Sequence, residues 1–298
     1  MVGPLRLANG LRSLLSLLCL LPFATAAALL LGGAGAVSEN TLSAVAAQEV
    51  AFPSGNLTLH GFLYKASSTG PLPAILWNHG SERLPGRVPQ LAEYFTGKGY
   101  VFFIPHRRGQ GRSSDAAPYV MDVLRQESES KGPAARSAKL VEMMGIQLQD
   151  QLAALAYLRS QPFVDPKRIA VMGCSFGGIQ TLLAAESAPD IRAAVDFAGA
   201  AQSWQASPEL RAQMFKAAGN AKVPVFFIQA EGDYDLTPSR ELAKQMEKAG
   251  KPIEVRIYPR FGAGHQENHE FCVYGVEVWG PDVLAFVEKA LVAGPGKQ

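Results

Sequence analysis

The chain of 298 residues is 48% hydrophobic and 18% charged, which is typical of one large globular domain or two small ones and argues against a disordered protein. Its formal net charge is +2, with both signs interspersed and no basic stripe. These values argue against nucleic acid or an anionic membrane surface as a partner and favour a small or neutral substrate.

The N-terminal segment, residues 1–36, differs from the rest of the chain. Arg6 and Arg12 precede the uncharged stretch "SLLSLLCLLPFATAAALLLGGAGA", which ends in small residues. This order is typical of a cleaved signal peptide and predicts an exported protein, periplasmic or secreted. The alternative is an uncleaved anchor helix, because residues 13–31 have about the 20 residues that span a bilayer. Only in that case would the protein be attached to a membrane.

A short linker and two cysteines follow the leader. Residues 37–47 are small and polar and are predicted to be a linker, and residues 48–298 are predicted to be the catalytic domain. Cys174 and Cys272 are the cysteines outside the leader. An oxidising compartment permits a bridge between them, but two cysteines do not form a disulfide framework, so we expect two free, buried thiols.

The domain begins with a predicted hairpin and continues as alternating strands and helices. "QEVAF" and "LTLHGFLYK" are β-rich runs separated by the turn residues "PSGN". Continuous apolar runs bounded by Gly and Pro are typical of strands buried on both faces. The alternation predicts the α/β class, with a mostly parallel sheet covered by helices on both sides. Strands are predicted at 74–79, 100–106, 168–173, 193–199, 224–230 and 253–259, and helices at 87–99, 140–159, 176–188, 239–249 and 281–291.

Residues 113–139 interrupt this rhythm. The segment is longer than the usual connection from a strand to a helix and mixes apolar with charged residues. It is predicted to be either a lid or pocket wall above the strand ends, or a surface loop with one helical turn.

The motif that carries chemistry is "GCSFG", residues 173–177, between the strand "RIAVM" and the helix pattern "FGGIQTLLAAES". A strand that runs straight into a helix must turn over very few residues, so only small neighbours fit. Glycines two residues before and after the serine leave its hydroxyl exposed above the sheet. The pattern predicts Ser175 as a nucleophile; the alternative is a small-residue turn without chemistry.

Three segments carry a family resemblance. "DPKRIAVMGCSFGG" resembles the nucleophile strand and turn of the α/β-hydrolase superfamily, and "ILWNHGSE" and "EVRIYPRFGAGHQENHEF" resemble its dienelactone hydrolase-like branch. The resemblance covers nearly all of residues 48–292 and implies the α/β-hydrolase fold. Dienelactone hydrolases proper use a cysteine nucleophile, whereas this chain has Ser175, which implies serine ester chemistry.

A serine nucleophile needs a base that takes its proton and a carboxylate that orients the base. In this fold their order along the chain is Ser, acid, His. The resemblance implies Asp233 as the acid and His269 as the base, because residues 269–271 match the His-x-Phe of related families. Asp235 stays open as the acid, with a helix cap as its other role, and His265 stays open as the base.

Two backbone N–H groups are expected to stabilise the oxyanion of the tetrahedral intermediate. One belongs to Phe176, at a helix N-terminus, and the other is implied to be that of Ser81 by the resemblance to families with a His-Gly turn. The segment "HRRGQGRSS" lacks the third glycine of a dinucleotide fingerprint and resembles the Arg-Gly-x-Gly-x-Ser turn of α/β-hydrolases. No paired Cys/His spacing is present, so neither a metal nor another cofactor is expected.

The sequence therefore predicts an exported serine hydrolase that cleaves a small-molecule carboxylic ester or lactone through an acyl-enzyme on Ser175. A peptidase similar to prolyl oligopeptidases is an alternative, because the same turn occurs in them, although those enzymes usually carry an additional gating domain. A non-catalytic binding protein on the same fold is the other alternative.

Overall fold

One mixed sheet of eight strands forms the centre of the computed structural model, which describes residues 46–188 and 190–292. In chain order the strands are β1 (Gln48–Ser54), β2 (Leu57–Lys65), β3 (Leu72–Asn78), β4 (Val101–Pro105), β5 (Val164–Cys174), β6 (Ala193–Phe197), β7 (Val225–Ala230) and β8 (Ile253–Tyr258). Their order across the sheet is β1-β2-β4-β3-β5-β6-β7-β8. The β1–β2 and β2–β4 pairs are antiparallel and the others are parallel.

Helices cover both faces of this sheet. They are α1 (Pro89–Gly97), α2 (Val120–Lys131), α3 (Pro133–Ser160), α4 (Phe176–Ser187), α5 (Pro208–Asn220), α6 (Thr237–Lys248), α7 (His265–His269), α8 (Phe271–Tyr274) and α9 (Val276–Val292), with a 3-10 turn at Gly111–Ser113. Helices α2 to α6 bury side chains in one core, and α1, α8 and α9 bury theirs in the other. Consecutive strand residues enter opposite cores, as Leu76 and Trp77 do, which explains why the strands read as unbroken apolar runs.

The predicted α/β class and the N-terminal hairpin are confirmed. β1 and β2 pair from Ser54 opposite Leu57 onward, around a tight turn in which Gly55 has a positive φ of 59°. The leader predicted at residues 1–36, and all but the last two residues of the predicted linker, lie outside the described residues. In the part that is described, no helix combines the length and the apolar character that crossing a membrane requires.

Helix α5 corrects the prediction that the strands at 193–199 and 224–230 follow each other without a helix. Parallel neighbours cannot be joined by a tight turn, and α5 supplies the crossover between β6 and β7. Its buried face is a narrow stripe formed by Leu210, Met214, Ala217 and Ala218. Because half of that stripe is alanine, its helical periodicity is weak in the sequence.

The segment 113–139 is helical, so the surface loop with one helical turn is wrong. Helix α2 occupies its centre, and α3 begins at Pro133, seven residues before the predicted start at 140. Gly132, with φ of 88°, separates the two helices. Val120 and Leu124 of α2 are buried in the hydrophobic core, so α2 packs against the body of the domain. The last helix also begins earlier than predicted, at Val276 instead of 281.

A buried carboxylate ties α3 to the sheet. Asp150 is 2% exposed and accepts hydrogen bonds from Ser54 Oγ at 2.7 Å and from Arg108 Nε and Nη2 at 2.8 and 2.6 Å. Because the carboxylate is removed from water, its partners must be present to balance the loss of hydration.

We expect Asp150→Ala to lower the free energy of unfolding by about 2 to 4 kcal/mol, because it leaves Ser54 and Arg108 without their acceptor. Urea denaturation at neutral pH measures the change. The matched control is Glu142→Ala, which removes an exposed ion pair to Lys139 and should change stability by less than about 1 kcal/mol. Equal effects of the two substitutions would contradict the structural role of Asp150.

Candidate active site

Ser175 forms the turn between β5 and α4 by itself. Its φ of 58° and ψ of −117° are unfavourable for a residue with a side chain. Such strain costs about 1–3 kcal/mol and persists only where the surroundings fix the backbone. Here the Ser175 N–H donates to the carbonyl of Phe197 on the neighbouring strand at 2.8 Å. The side chain is half-buried and lies at the carboxyl end of the sheet.

The flanking glycines are required by close backbone contacts. A Cβ on Gly177 would lie 2.0 Å from the carbonyl oxygen of Asn78, and a Cβ on Gly173 would lie 2.4 Å from the carbonyl oxygen of Gly177. Any larger residue at either position would push α4 away from β3 and β5. The sharp strand-to-helix turn that the motif predicts is therefore present, for the steric reason that the motif implies.

Asp233 and His269 are brought together at the same edge of the sheet. Asp233 follows β7, and its buried carboxylate accepts from His269 Nδ1 at 2.8 Å, Tyr234 N–H at 2.6 Å and Gln229 Nε2 at 3.0 Å. An ionised carboxylate only accepts, so the neutral imidazole carries its proton on Nδ1. Nε2 of His269 then has a free lone pair and makes no hydrogen bond with any described residue.

The two alternative residues have other roles. Asp235 accepts from the Thr237 N–H at 2.8 Å and from Gln205 Nε2 at 2.9 Å, at the start of α6. Burial raises the pKa of Asp235, but the hydrogen bonds from Thr237 and Gln205 outweigh it, so the pKa lies below its usual value. His265 is exposed, and its Nδ1 lies 2.9 Å from the carbonyl of Gly232.

Ser175 and His269 line one cleft of about 1350 Å³, counted with its open mouth. Its wall also includes Trp77, Ser81, Tyr119 and Tyr274. The N–H groups of Ser81 and Phe176 have no hydrogen-bond acceptor within the described residues, so both are free to bind an oxyanion at the cleft. All five residues of the predicted site therefore lie around one end of the sheet.

Buried polar residues brace the loop that carries Ser81. Arg107 Nη2 donates to the carbonyl of Gly80 at 2.6 Å, and Gln110 Nε2 donates to that of Glu82 at 2.8 Å. The Arg107 guanidinium lies 5.2 Å from the centre of the Phe176 ring. Burial lowers the pKa of Arg107 to about 10, so it stays charged at neutral pH. These contacts give a structural role to Gln110 of the Arg-Gly-x-Gly-x-Ser turn and to Arg107, which precedes it.

Two contributors to the cleft lie in the segment 113–139. Tyr119 donates a short hydrogen bond to the carbonyl of Ser81, and Arg83 stacks on its ring at 4.1 Å. Met121 of α2 also forms part of the wall. The segment thus contributes residues to the cleft, although nothing in the sequence marked Tyr119.

A second cavity adjoins the cleft at Ser175. Its volume is about 520 Å³, and it is lined by Leu124, Leu140, Ile179, Gln202, Ser203 and Arg136 beside Ser81, Ser175 and Phe176. Arg136, in the first turn of α3, is half-buried and its side chain has no hydrogen-bond or ion-pair partner among the described residues. No acidic side chain lines this cavity.

The expectation of two free thiols is wrong. Cys174 and Cys272 form a disulfide, with their Cα atoms 5.9 Å apart although the two residues are 98 positions apart in the sequence. That expectation was drawn from the small number of cysteines. It failed because a single disulfide needs only two cysteines, provided that the fold brings them together. Within residues 46–188 and 190–292, no group of three or more His, Cys, Asp or Glu side chains is arranged to bind a metal ion.

The model of the dienelactone hydrolase family matches residues 60–271, from β2 to the start of α8. The chain belongs to the dienelactone hydrolase family. The match includes Ser175, Asp233 and His269. Among curated proteins, the polyketide transferase grgF of Penicillium sp is 28% identical over 213 residues, which cover 67% of this chain and 64% of the relative.

Solved structures agree on the fold of this family member. A Klebsiella pneumoniae protein assigned as a dienelactone hydrolase aligns with a TM-score of 0.62 at 19% identity, over 83% of this chain and 99% of that one. The acylaminoacyl peptidase of Pyrococcus horikoshii aligns with a TM-score of 0.63 at 19% identity, over 87% of this chain but 44% of that one. The α/β-hydrolase fold implied by the sequence is therefore confirmed.

A buried carboxyl group lies beneath the turn of this dienelactone hydrolase family member. Asp196, on β6, accepts from the Gly199 N–H at 2.8 Å, and its Oδ2 has no partner in the described part of the chain. A Cβ on Gly178 would lie 2.3 Å from its Oδ1. Burial raises the pKa of Asp196 to about 7, so the group is protonated in the native state at mildly acidic pH.

We expect the stability of the Asp196→Asn variant, compared with that of wild type, to increase as the pH rises. The unfolded chain ionises Asp196 near pH 4, so between about pH 4 and 7 the native state binds more protons and the wild type loses stability as the pH increases. Asparagine cannot ionise and avoids this loss. We compare the free energy of unfolding of Asp196→Asn with that of wild type by urea unfolding at pH 5 and at pH 8. The difference in favour of the variant should be about 1 to 3 kcal/mol larger at pH 8. A difference that does not change with pH would contradict the protonated state of Asp196.

Proposed function

We propose that the protein is an exported serine hydrolase that cleaves a small-molecule carboxylic ester or lactone through an acyl-enzyme on Ser175. The observation that carries the proposal is the hydrogen bond of 2.8 Å between Asp233 and His269, beside a serine held at a strained turn. Membership of the dienelactone hydrolase family supports hydrolysis of a small molecule.

In the proposed reaction, Nε2 of His269 takes the proton of the Ser175 hydroxyl as Oγ attacks the carbonyl carbon of the substrate. Asp233 holds the imidazole in the tautomer that leaves Nε2 free and stabilises the imidazolium that forms. The N–H groups of Ser81 and Phe176 donate to the oxyanion, and each donor of this kind lowers the barrier by about 3 kcal/mol.

The intermediate then expels its alkoxide, which takes the proton from His269, and the acyl group remains on Ser175. A water molecule gives a proton to His269 and attacks the acyl carbon, which forms a second oxyanion in the same place. Collapse of that intermediate returns the proton to Ser175 and releases the acid. For a lactone, the alcohol and the acid are two ends of one product.

The two cavities suggest how the substrate is oriented. Because His269 must protonate the leaving alcohol, the leaving group belongs in the larger cleft, which His269 lines. The acyl group then extends into the adjoining cavity of about 520 Å³. Apolar walls there suit a short or medium chain, and the unpaired Arg136 suits a negative charge at its far end.

Export is supported by two features. The first 36 residues have the order of a signal peptide, and the disulfide is of a kind that persists in oxidising compartments. The structural likeness to acylaminoacyl peptidase shows a shared fold, and a peptidase activity remains an outcome of the experiment below.

We expect Ser175→Ala to abolish both hydrolysis of p-nitrophenyl esters and covalent labelling by a fluorophosphonate probe. His269→Ala should lower kcat by at least about 10³-fold, because the base is lost, and Asp233→Asn should also lower it strongly. Steady-state kinetics and gel fluorescence measure these effects.

The matched controls are His265→Ala and Asp235→Asn, which should keep kcat within a few-fold of wild type. A large loss in either control, with little loss in His269→Ala or Asp233→Asn, would contradict the assignment. A higher kcat/KM for an aminoacyl p-nitroanilide than for any ester would favour a peptidase. A wild-type protein that neither turns over esters nor is labelled would favour a binding protein.

We expect Arg136→Gln to reduce the preference for acidic acyl groups. The test compares kcat/KM for the mono-p-nitrophenyl ester of glutaric acid with that for the neutral p-nitrophenyl butyrate. Loss of one charged hydrogen bond should lower the ratio of the two values about 10-fold. Arg125→Gln, an exposed α2 arginine paired with Asp122, is the control and should leave the ratio unchanged. An unchanged ratio in Arg136→Gln would contradict the role of this arginine.

A further inference from the structure

The disulfide joins the two parts of the candidate site that carry its reacting groups. Cys174 immediately precedes Ser175, and Cys272 is three residues after His269. The bond therefore connects the end of β5 to α8, and both cysteines line the cleft beside Ser175 and His269. Both are nearly buried, at 7% and 4% exposure, so the bond is enclosed by the groups it connects.

The backbone of His269 rests directly on this bond. Its carbonyl oxygen lies 3.2 Å from Sγ of Cys272 and 3.8 Å from Sγ of Cys174. A disulfide has no S–H, so these are packing contacts and not hydrogen bonds. Any movement of the disulfide therefore moves the main chain that carries the imidazole.

The elements around His269 have little stability of their own. Helix α7 has five residues and α8 has four, and helices this short are not stable unless other contacts hold them. Asn268 binds the carbonyls of Gly262 and Gly264 at 3.0 and 2.6 Å, which orders the loop internally. Trp279 Nε1 donates to the carbonyl of Phe271 at 2.9 Å, which ties α8 to α9.

None of these contacts connects His269 to the turn at Ser175. The imidazole is held through Nδ1 to Asp233, and Nε2 has no partner in the described chain. Among the described residues, no hydrogen bond links residues 261–275 to residues 173–178, and the sulfur contacts of the disulfide join them instead. The disulfide is thus the direct connection between the two sides of the proposed proton transfer.

We propose that Cys174 and Cys272 are positioning residues whose disulfide keeps His269 within reach of Ser175, so that turnover depends on the oxidised state of the bond. This inference rests on the proposed function. A displacement of about 1 Å between a nucleophile and its base can lower a rate 10²-fold, which sets the size of the expected effect. One of the two hydrophobic cores contains neither cysteine, and the other holds many buried side chains besides Cys174 and Cys272, so the domain should stay folded without the bond.

The test uses the full mature chain in two arms. In the first, the double variant Cys174→Ala/Cys272→Ala is compared with wild type in ester hydrolysis. We expect kcat to fall about 10- to 100-fold with KM within about threefold, and the fluorophosphonate to label Ser175 correspondingly more slowly. Circular dichroism and urea unfolding show whether the variant is folded under assay conditions.

In the second arm, wild type is reduced with dithiothreitol, and the reductant is removed before the assay. One thiolate of dithiothreitol attacks a cysteine sulfur and the other closes to the cyclic disulfide, so two electrons pass to the protein and Cys174 and Cys272 become thiols. Activity should fall as in the double variant and return when oxidised glutathione restores the bond. The double variant should respond to neither reagent, which excludes any other target.

The outcomes are distinct. A folded double variant and a reduced wild type that both keep the kcat of the oxidised enzyme would overturn the positioning role and leave the proposed function intact. If the double variant does not fold, the reduced wild type decides alone, provided its circular dichroism is native. Wild type that is inactive on all esters in its oxidised form would overturn the proposed function and this inference together. Activity lost only in parallel with unfolding would show a purely structural bond and overturn the inference.

Discussion

The close approach of three backbone segments at the carboxyl ends of β3 and β5 is the constraint on which the rest of the site depends. Gly177 lies against the carbonyl of Asn78, so the start of α4 reaches the end of β3 with no space between them. This contact forces Ser175 into its strained conformation and directs its side chain out of the sheet. It also sets the N–H of Phe176 and the loop of Ser81 on the same side, because β3 and β5 are neighbours.

Charged and polar groups are buried beneath the carboxyl ends of β3 and β5 and keep this part of the site rigid. The Arg107 guanidinium and the Asp150 carboxylate are both nearly inaccessible to water, and each is held by partners from distant segments. Burying such groups costs hydration, so their positions are tolerated only in one arrangement of the surrounding chain. Asp196 reduces that cost by taking up a proton, since burial raises its pKa to about 7. The turn is thus supported by groups that resist displacement.

The opposite side of the cleft is built differently. His269 ends a five-residue helix after the last strand, and a helix this short depends on contacts with its surroundings. Nδ1 of His269 donates to Asp233, and we propose that the bond between Cys174 and Cys272 fixes the distance of His269 from the turn. Under the proposed function, a serine at a constrained turn and a histidine tethered to it would meet the need of proton transfer for a fixed distance.

The sequence by itself determined the α/β alternation, the hairpin and the turn at Ser175, because each depends on residues close together in the chain. Apolar runs mark strands, and a serine between two glycines marks a sharp turn wherever it lies. A family resemblance added Asp233 and His269 as candidates, and the structure brings these two residues into contact. The sequence did not show α5, whose buried stripe is half alanine, nor the helical form of residues 113–139.

Only the tertiary structure showed that Asp233 contacts His269 and that Arg136 and Ser175 line the same cavity. It also paired two cysteines 98 positions apart in the sequence. The physical reason is the same in each case. Local patterns report the conformation of a few neighbouring residues, whereas these contacts depend on which strands lie side by side, and that is decided by packing the whole sheet between its two layers of helices.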